Sequence, residues 1–367
     1  MSTDVGHDEA VEVLSRPEAV AGFEVVEREW DALAEPTGGI FATALWNRVW
    51  WEHHGADREL LLHVARADDG SLGAVVPLYA WRRRVPRVLR FLGHGPGDEL
   101  GPVFPTGAAA AAASCLQAVL DTLEWDVFLG EQLQGDQSWP TLLGAHIWRR
   151  EASPTLALPS TWDGYLAGRS GNFREQLRRR EAALARHGVV TTRLADETTL
   201  AADLDTLFAL HRARWGATPT DFSDTPFHRE LAREALDRGW LRVWLLELDG
   251  RPVAAWHGFQ VGPVASYYQA GRDPSLDRLS VGFVLMAHTI RSAIAEGATE
   301  YRFGRGDESF KLRFATDDAG LQTVVRTRGA FGGAAFEAGR IARLARRAWR
   351  RQPRAADYRS VPPETTS

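Results

Sequence analysis

The sequence predicts a mixed α/β (α+β) protein with two tandem halves, each a mixed twisted sheet flanked by helices. Its 367 residues are 44% hydrophobic and 25% charged, which is typical of a globular chain with room for two domains. Alternating apolar runs that end at Gly, Asp or Pro interchange with runs of helical periodicity, which indicates both strands and helices. The order hairpin, strand, loop, helix, strand occurs twice, and this repetition indicates two related halves.

The first half is expected to span residues 21–155, after a flexible N-terminus of residues 1–20. A short strand in "FEVVEREWDALAE" leads into a helix, and apolar residues at helical spacing over 43–55 predict a second helix. Residues 59–84 hold two strand-like runs around an Asp-Asp-Gly turn, which predicts a β-hairpin. A strand, the glycine-rich loop 93–102, an Ala-rich helix and another strand complete the order β-α-α-β-β-β-α-β.

The second half is expected to span residues 156–332, and a basic helical or disordered tail follows over 333–367. After a linker, the pattern predicts a basic helix, a strand and two further helices. Three strands joined by Asp-Gly and Val-Gly-Pro turns lead to a strongly periodic helix. A strand, a short helix over 307–315 and a last strand complete the order β-α-α-β-β-β-α-β-α-β.

Composition excludes several classes of function. The net charge is -5 and the pI is near 6.1, so the chain has no general basic field for DNA, and no DNA partner is expected. A single cysteine, Cys115, rules out an internal disulfide framework and a Cys-rich metal site, so no metal cofactor is expected. The chain has no run of eighteen apolar residues, and its first thirty residues are too acidic for a signal peptide. A cytoplasmic location is therefore expected.

Lys311 is the only lysine in the chain, whereas all other basic side chains of this type are arginine. A strong compositional bias toward arginine can leave one lysine by chance. A chemical reason is also available, because the lysine ammonium is a compact point charge and the arginine guanidinium is a wide planar fork. Asp307 and Glu308 precede Lys311 at helical spacing, so a confined charge site and a surface ion pair both remain open.

The strand "ASYYQAG" runs through a loop into the periodic helix. A loop of this kind exposes backbone N–H groups at the positive end of the helix dipole, which suits a phosphate or another anion. Ser280 is in a favourable position to cap the helix, and Gly282 gives room for a close approach. An ordinary strand-to-helix turn would have the same local sequence.

An ordered set of segments resembles one known family, the CelD-like, FemAB-like acetyltransferase-domain family of the GNAT (Gcn5-related N-acetyltransferase) superfamily. The likeness covers most of residues 20–330 and is densest over 205–315. The Trp-rich segment "WNRVWWEHHG" near the start also fits the family. The segments that carry the resemblance are "LEWDVFLGEQL", "LFALHRARWG", "LRVWLLELDGRPVAAWHGFQVG" and "YYQAGRDPSLDRLSVGFVLMAHTIRSAIAEGATEYRFGRGDESFKLRFA".

The resemblance implies two tandem GNAT-like halves and a donor that carries an acyl group. The strands "ASYYQAG" and "EYRFGRG" would form an adjacent parallel pair that splays apart to admit the acyl-thioester arm. The donor would be acetyl-CoA or another acyl-CoA. Its pyrophosphate would be bound by the loop 277–283, which departs from the usual pattern because "DRLSVG" has one glycine. The implied cofactor-binding residues are Leu279, Ser280, Val281, Gly282 and Phe283.

A second donor class stays open, because Fem-type relatives use aminoacyl-tRNA. The basic helix over 169–187 carries six arginines against two glutamates, so it could face RNA or could simply be solvated. In the C-terminal tail, basic residues recur at helical spacing and predict an amphipathic helix that either contacts a membrane peripherally or packs on the protein. These residues are Arg340, Arg343, Arg347, Arg350 and Arg354.

Transfer of an acyl group to an amine needs a base for the amine proton, a donor for the oxyanion and an acid for the leaving group. The catalytic candidates on suitable elements are Asp307, Lys311, His257 and Tyr268. The substrate-binding candidates are His211, Arg214, Trp215, Gln269 and Glu308. A structural role remains open for each type: a core histidine, a helix cap at Asp307 and Glu308, or a solvent-facing Arg214.

The sequence therefore predicts an N-acyltransferase. It would move an acyl group from acyl-CoA, with acetyl-CoA as the expected donor, to an amine of a small molecule or of a cell-envelope or polysaccharide precursor. Two alternatives are an aminoacyl-tRNA-dependent transferase of the Fem type and a non-catalytic GNAT-like binding module.

Overall fold

The computed structural model describes residues 14–216, 222 and 225–351, and over 342–351 it describes the helical backbone alone. The described strands form two mixed sheets of seven strands each, with helices on their faces, which confirms the predicted fold class. The strands are β1 (Glu18–Ala19), β2 (Arg58–Arg66), β3 (Leu72–Trp81), β4 (Val88–Phe91), β5 (Val127–Gln134), β6 (His146–Glu151), β7 (Pro154–Ala157), β8 (Val190–Leu194), β9 (Leu241–Leu248), β10 (Arg251–Val261), β11 (Val264–Arg272), β12 (Glu300–Arg302), β13 (Asp317–Asp318) and β14 (Leu321–Thr327).

The helices connect these strands and cover both sheets. They are α1 (Glu27–Ala34), α2 (Ala44–His54), α3 (Ala109–Thr122), α4 (Trp139–Leu142), α5 (Trp162–Ala167), α6 (Gly171–Ala185), α7 (Leu200–Trp215), α8 (Pro226–Asp237), α9 (Val281–Ala295), α10 (Ser309–Leu312) and α11 (Gly329–Arg351). None of the helices in the described part of the chain has the length and apolar character needed to cross a membrane.

The two sheets have related topologies. The first sheet has the order β1-β2-β3-β4-β5-β14-β6, and the second has the order β13-β7-β12-β11-β10-β9-β8. Each sheet contains one parallel pair joined by a helical crossover: β4 and β5 through α3, and β11 and β12 through α9. The other described pairs are antiparallel, and some of them, such as β2 with β3 and β10 with β11, are joined by short turns. The repeated order seen in the sequence is therefore a repeated topology.

The chain crosses between the two sheets, so the division predicted at residues 155 and 156 does not coincide with the division between them. β7 spans that division and pairs with β12 and β13 in the second sheet. β14 falls in the predicted second half but lies between β5 and β6 in the first sheet. The apolar pattern of a strand determines which face is buried and not which strand lies beside it, so the sequence did not reveal this exchange.

Some short elements differ from the sequence-based expectation. Phe23–Val25 is a turn of 3-10 helix rather than a strand. The helix expected over 307–315 is reduced to the four residues of α10. The strands β1, β6, β7 and β13 were not predicted. β1 and β13 have two residues each, and the side chains of β6 are exposed or half-buried, so these strands lack the alternating burial that identifies a strand.

An aromatic core joins the two halves. Trp46 of α2 meets Phe227 of α8 with ring centroids 5.5 Å apart, and its ring also contacts Tyr268 of β11 at 5.7 Å. Edge-to-face contacts between large rings add to the hydrophobic free energy of burying them. Trp30 and Trp50, both almost fully buried, belong to the same cluster. The halves therefore pack through a shared core, and loops of the first half are held against strands of the second.

The C-terminal tail is helical as far as the structure describes it. α11 begins at Gly329, directly after β14, and Phe336 packs on Trp148 of β6 with ring centroids 5.4 Å apart. The side chains of residues 342–351 and all of residues 352–367 lie outside the described part of the chain. Whether the basic face contacts a membrane stays a prediction.

Candidate functional site

The parallel pair β11 and β12 separates after three residue pairs. The last of them is Ser266 with Arg302. β11 then continues along β10 to Arg272, whereas the chain after β12 turns away through Gly304 and Gly306, both with positive φ. We call the resulting opening the strand cleft, and its volume is about 330 Å³. On the two separated segments it is lined by residues 267–269 of β11 and by Arg305, Gly306, Glu308, Phe310 and Lys311. The splay that the resemblance implied is therefore present in the fold.

A β-bulge lies on β11 where the cleft opens. His257 pairs with Gln269 and Gly258 pairs with Tyr267, so Tyr268 is the extra residue. A bulge of this kind changes the alternation of side chains and leaves part of the ladder unpaired. Gly258 is required opposite the bulge, because a Cβ there would lie 2.1 Å from the carbonyl oxygen of Ser266. Beyond Ser266, backbone groups of β11 that face the cleft have no partner on β12.

Tyr267, and not Tyr268, presents its hydroxyl toward the charged groups of the cleft. Lys311 Nζ lies 5.8 Å from the Tyr267 ring centroid, and burial raises the pKa of Tyr267 well above its usual value. Tyr268 borders the cleft, but its hydroxyl lies 3.1 Å from His228 Nε2 inside the aromatic core. A catalytic role for Tyr268 stays a prediction, and its hydroxyl lies on the side of the aromatic core. The physical reason is the bulge, which turns Tyr268 toward α8.

Lys311 is buried in the wall of the cleft, with 3% of its surface exposed. Its ammonium donates to the carbonyl oxygen of Arg305 at 2.6 Å and, more weakly, to that of Gly304 at 3.4 Å. Its carboxylate partner is Glu308, at 2.9 Å. A small ion with three donors fits these three acceptors, and a planar guanidinium does not have the same geometry. Lys311 therefore fixes the segment that turns away from β12.

Asp307 does not take the role expected for it. Its side chain is exposed, and Lys311 pairs with Glu308 instead. The difference arises because α10 begins only at Ser309, so Asp307 lies outside the helix and not one helical turn before Lys311. Glu308 lines the cleft and occupies the N-cap position of α10 without a side-chain capping bond.

Asp98 is the residue of the cleft that sequence reasoning missed. It comes from the glycine-rich loop of the first half, and its Oδ2 accepts from the Arg305 backbone N–H at 3.2 Å. Arg305 Nε lies 3.6 Å from Asp98 Oδ1. Burial raises the pKa of the Asp98 carboxyl, although the charges of Arg305 and Lys311 oppose this rise. The signal in the sequence is the pair of acids, Asp98 and Glu99, within the glycine-rich loop 93–102.

Three predicted substrate-binding residues on α7 lie at the same cleft or beside it. Arg214 stacks on Trp215, with its guanidinium carbon 4.4 Å from the ring centroid, and approaches Phe310 at 5.5 Å. Trp215 lines the cleft, as does Gln269. His211 is buried against Gln269, and burial together with the charge of Arg214 lowers the pKa of His211. A lowered pKa favours the neutral form of His211. A neutral side chain fits the predicted role in substrate binding and does not supply a permanent positive charge.

His257 lies outside the cleft, in an apolar part of the core. It is fully buried among the rings of Phe222, Phe259 and Tyr268. Neither of its ring nitrogens has a hydrogen-bond partner among the described residues. Burial lowers the pKa of His257 to about 3. A role of His257 as catalytic base stays a prediction, and its side chain is not among those that line the strand cleft.

The predicted cofactor loop forms a turn of 3-10 helix, Pro274–Leu279, and α9 begins at Val281. Ser280 occupies the N-cap position in a left-handed conformation with φ of +56°, but its side chain makes no capping bond. Phe283 and Val284 donate their backbone N–H groups to the Ser280 carbonyl oxygen, which leaves the N–H groups of Val281 and Gly282 at the start of α9 available to an anion. A Cβ on Gly282 would have Arg272 Cδ at 3.5 Å as its nearest neighbour, so the approach to this helix end is open.

Positive charge surrounds this helix end. The guanidinium carbon of Arg180, on α6, lies 4.1 Å from the ring centroid of Phe283 in the first turn of α9. Burial and the charges of Arg313 and Arg179 lower the pKa of Arg180. The predicted residues 279–283 therefore lie in an electropositive environment that suits phosphate groups.

A second opening, which we call the inter-sheet cavity, joins the strand cleft. Its volume is about 400 Å³, and it lies between loops of the first half and the paired ends of β11 and β12. Asp98 and Tyr267 line both openings, so the two are neighbours. Among the described residues, no group of three or more His, Cys, Asp or Glu side chains is arranged to hold a metal ion.

Comparisons with known proteins agree with this geometry. Residues 171–312 match the family model of an acetyltransferase (GNAT) domain, and this range contains β11, α9, β12 and Lys311. No curated protein matches the chain in sequence. Among solved structures, FemX is similar with 11% identity over 86% of this chain and 98% of its own, at a TM-score of 0.62.

Two further structures share the fold. The C-terminal DUF2156 domain of a protein described as a lysylphosphatidylglycerol synthetase, from Agrobacterium fabrum, has 11% identity over 87% of this chain and 96% of its own, with a TM-score of 0.57. L-PGS from Bacillus licheniformis has 13% identity over 86% of this chain and 95% of its own, with a TM-score of 0.53. At these identities the likeness establishes the fold alone.

Replacing the single lysine tests whether its site is confined. We expect Lys311→Arg to lower the free energy of unfolding by roughly 1–3 kcal/mol, because a larger planar group must fit a buried site. Urea denaturation of both proteins measures this difference. The matched control is Arg178→Lys on the exposed face of α6, which should change stability by under about 0.5 kcal/mol. Equal stability of Lys311→Arg and the parent would mean that lysine is present by chance.

The burial of His257 predicts a pH dependence of stability. The pKa of His257 is about 3 in the folded chain, and the ordinary histidine pKa is 6.5. At pH values between these two, His257 binds a proton in the unfolded chain and not in the folded chain. The free energy of unfolding therefore falls as the pH drops below 6.5, by about 2 kcal/mol near pH 5. His257→Leu should lose this part of the dependence in urea titrations near pH 8 and pH 5.

The control for this comparison is Phe259→Leu, a buried neighbour on β10 that carries no titratable group. It should lower stability by a similar amount at both pH values and keep the parent's pH dependence. An unchanged pH dependence in His257→Leu would contradict the assignment of His257 as a buried neutral side chain.

Proposed function

We propose that this chain, which carries an acetyltransferase domain of the GNAT superfamily, is an N-acyltransferase. In this proposal it moves an acyl group from acyl-CoA, with acetyl-CoA as the expected donor, to an amine of a small molecule or a cell-envelope precursor. The observation that carries the proposal is the strand cleft, where β11 and β12 part beside the exposed N-terminus of α9. One end of this arrangement suits phosphates and the other admits an extended acyl arm.

The donor would bind along β11. Its phosphates would accept hydrogen bonds from the first N–H groups of α9 and interact with the positive charge of Arg180, Arg179 and Arg313. Its extended arm would enter between the separated strands. There the backbone N–H groups of β11 near the bulge could bind the thioester oxygen, because pairing with β12 ends at Ser266.

Transfer of the acyl group forms one covalent bond to the acyl carbon and breaks another. The acceptor nitrogen attacks the thioester carbon, the carbon–nitrogen bond forms, and the carbon–sulfur bond breaks to release the thiolate of coenzyme A. The nitrogen loses a proton and the thiolate gains one. Asp98 is the carboxylate that we assign to accept the amine proton, because it borders both openings. Arg305 positions it through its backbone N–H and its guanidinium.

A second candidate function is transfer from aminoacyl-tRNA. The likeness to FemX over 86% of this chain favours it, because Fem-type proteins use that donor. The exposed arginines Arg178 and Arg179 on α6 would then lie beside the donor end of the cleft. Thermal shifts with acetyl-CoA, longer acyl-CoAs and aminoacyl-tRNA separate the two candidates, because a ligand of the native state raises the melting temperature. A screen of amines by mass spectrometry then identifies the product.

The donor site predicts the effect of a charge at the start of α9. Gly282→Glu should raise the Kd for acetyl-CoA at least roughly tenfold, because a carboxylate there repels phosphate and covers the free N–H groups. Isothermal calorimetry measures this change. Gly339→Glu is the matched control, since no atom lies within 4 Å of a Cβ at that position of α11. Unchanged acetyl-CoA affinity in Gly282→Glu would place the donor elsewhere.

The role of Asp98 predicts a loss of rate. Asp98→Asn should lower kcat about 100-fold or more, since the amide cannot accept a proton. In the parent protein kcat should rise with pH as the Asp98 carboxyl loses its proton, and this rise should be absent in Asp98→Asn. Glu99→Gln alters the neighbouring carboxylate, which accepts from Gln134 at 2.8 Å, and should affect KM more than kcat. Urea denaturation checks that both variants are folded. Normal kcat in Asp98→Asn would remove Asp98 from the reaction.

A further inference from the structure

The inter-sheet cavity has a strongly acidic lining. Four carboxylates line it, against the single guanidinium of Arg302. The carboxylates belong to Asp98, Glu99, Asp136 and Glu300. A cavity whose lining has a net negative charge attracts cationic ligands, because low-dielectric walls focus the field.

The one arginine of the lining is already occupied. Arg302 Nε lies 2.9 Å from Glu300 Oε1, and its Nη1 lies 3.6 Å from Glu99 Oε2. Its remaining donors bind the carbonyl oxygens of Thr37 and Gly38, both at 3.1 Å. Arg302 therefore shares its charge between two carboxylates and offers none to an incoming anion.

A buried polar side chain without a partner also lines the cavity. Ser266 is 5% exposed, and its hydroxyl makes no hydrogen bond with any described residue. It lies at the last residue pair between β11 and β12, next to Tyr267 and the strand cleft. Because Ser266 lines the cavity, its hydroxyl can contact a polar ligand there.

We infer that the inter-sheet cavity binds the acceptor, and that the acceptor is a small molecule with at least two positive charges. This inference rests on the proposed N-acyltransferase function. The reacting amine would lie where Asp98 and Tyr267 border both openings, and a second cationic group would lie among Asp136, Glu99 and Glu300. Only the reacting nitrogen loses its proton; the second group keeps its charge and its attraction to the cavity.

The charge pattern selects among the acceptor classes that the proposed function leaves open. A nucleotide-linked or otherwise anionic envelope precursor would bring negative charge toward carboxylates, which like-charge repulsion opposes. A monoamine without a second cationic group would occupy the cavity but would leave the remote carboxylates without a cationic partner. A diamine or an amino sugar with several amines uses both the reacting site and the remote carboxylates.

Three probes of equal chain length test the inference on the full chain. They are 1,5-diaminopentane, 1-aminopentane and 5-aminopentanoate, whose remote ends are cationic, apolar and anionic. We expect 1,5-diaminopentane to bind roughly tenfold or more tightly than the other two in calorimetry without a donor, and salt should reduce this preference. Equal binding of the three probes, or no binding of 1,5-diaminopentane, overturns the inference.

Two variants locate the preference. Asp136 is exposed and has no role in the strand cleft, so Asp136→Asn should reduce the preference for 1,5-diaminopentane about threefold to tenfold without unfolding the protein. Glu124→Gln, an exposed acid outside the cavity, should leave the preference unchanged. A preference that survives in Asp136→Asn and Glu300→Gln together would place the diamine outside this cavity and contradict the inference.

The same samples distinguish this inference from the proposed function. Acetyl transfer to 1-aminopentane as efficient as transfer to 1,5-diaminopentane would refute the dicationic acceptor while N-acyltransferase activity stands. Diamine binding that depends on Asp136, in a protein that neither binds acetyl-CoA nor acylates any probe, would refute the proposed function and leave a cation site in the cavity.

Discussion

The short pairing between β11 and β12 is the constraint on which the site depends. Three residue pairs hold the strands together, and then the bulge at Tyr268 and the glycines after β12 separate them. If the ladder continued, the backbone of β11 would be satisfied by β12 and the cleft would be closed. Because the ladder stops, one strand keeps unpaired groups facing an opening between two rigid elements.

The separated segment after β12 has few contacts of its own, so buried charges fix it in place. Lys311 binds two of its carbonyl groups and Glu308, while Asp98 binds the Arg305 backbone from the other half of the protein. Each of these groups would be costly to bury alone, and together they satisfy one another. This arrangement explains why one lysine persists in a chain that otherwise uses arginine.

The aromatic core and the exchanged strands make the first half part of the site. β14 lies in the first sheet and β7 in the second, so the chain passes between the sheets more than once. Trp46 and Phe227 then hold the halves in contact, which brings the loop with Asp98 against the strand cleft. The first half contributes to the site without binding a donor, because it supplies the carboxylate of Asp98 and one wall of the inter-sheet cavity.

The sequence alone determined the features that follow from local pattern: the hairpins, the periodic helix α9 and the unusual Lys311. These could be predicted because periodicity and turn chemistry are encoded within a few residues of one another. Only the tertiary structure decided that Asp98 meets Arg305 across 207 residues, that the bulge turns Tyr267 rather than Tyr268 to the cleft charges, and that His257 is enclosed by aromatic rings. Strand neighbours, bulges and partners from distant loops are selected by packing of the whole chain, and no short segment carries that information.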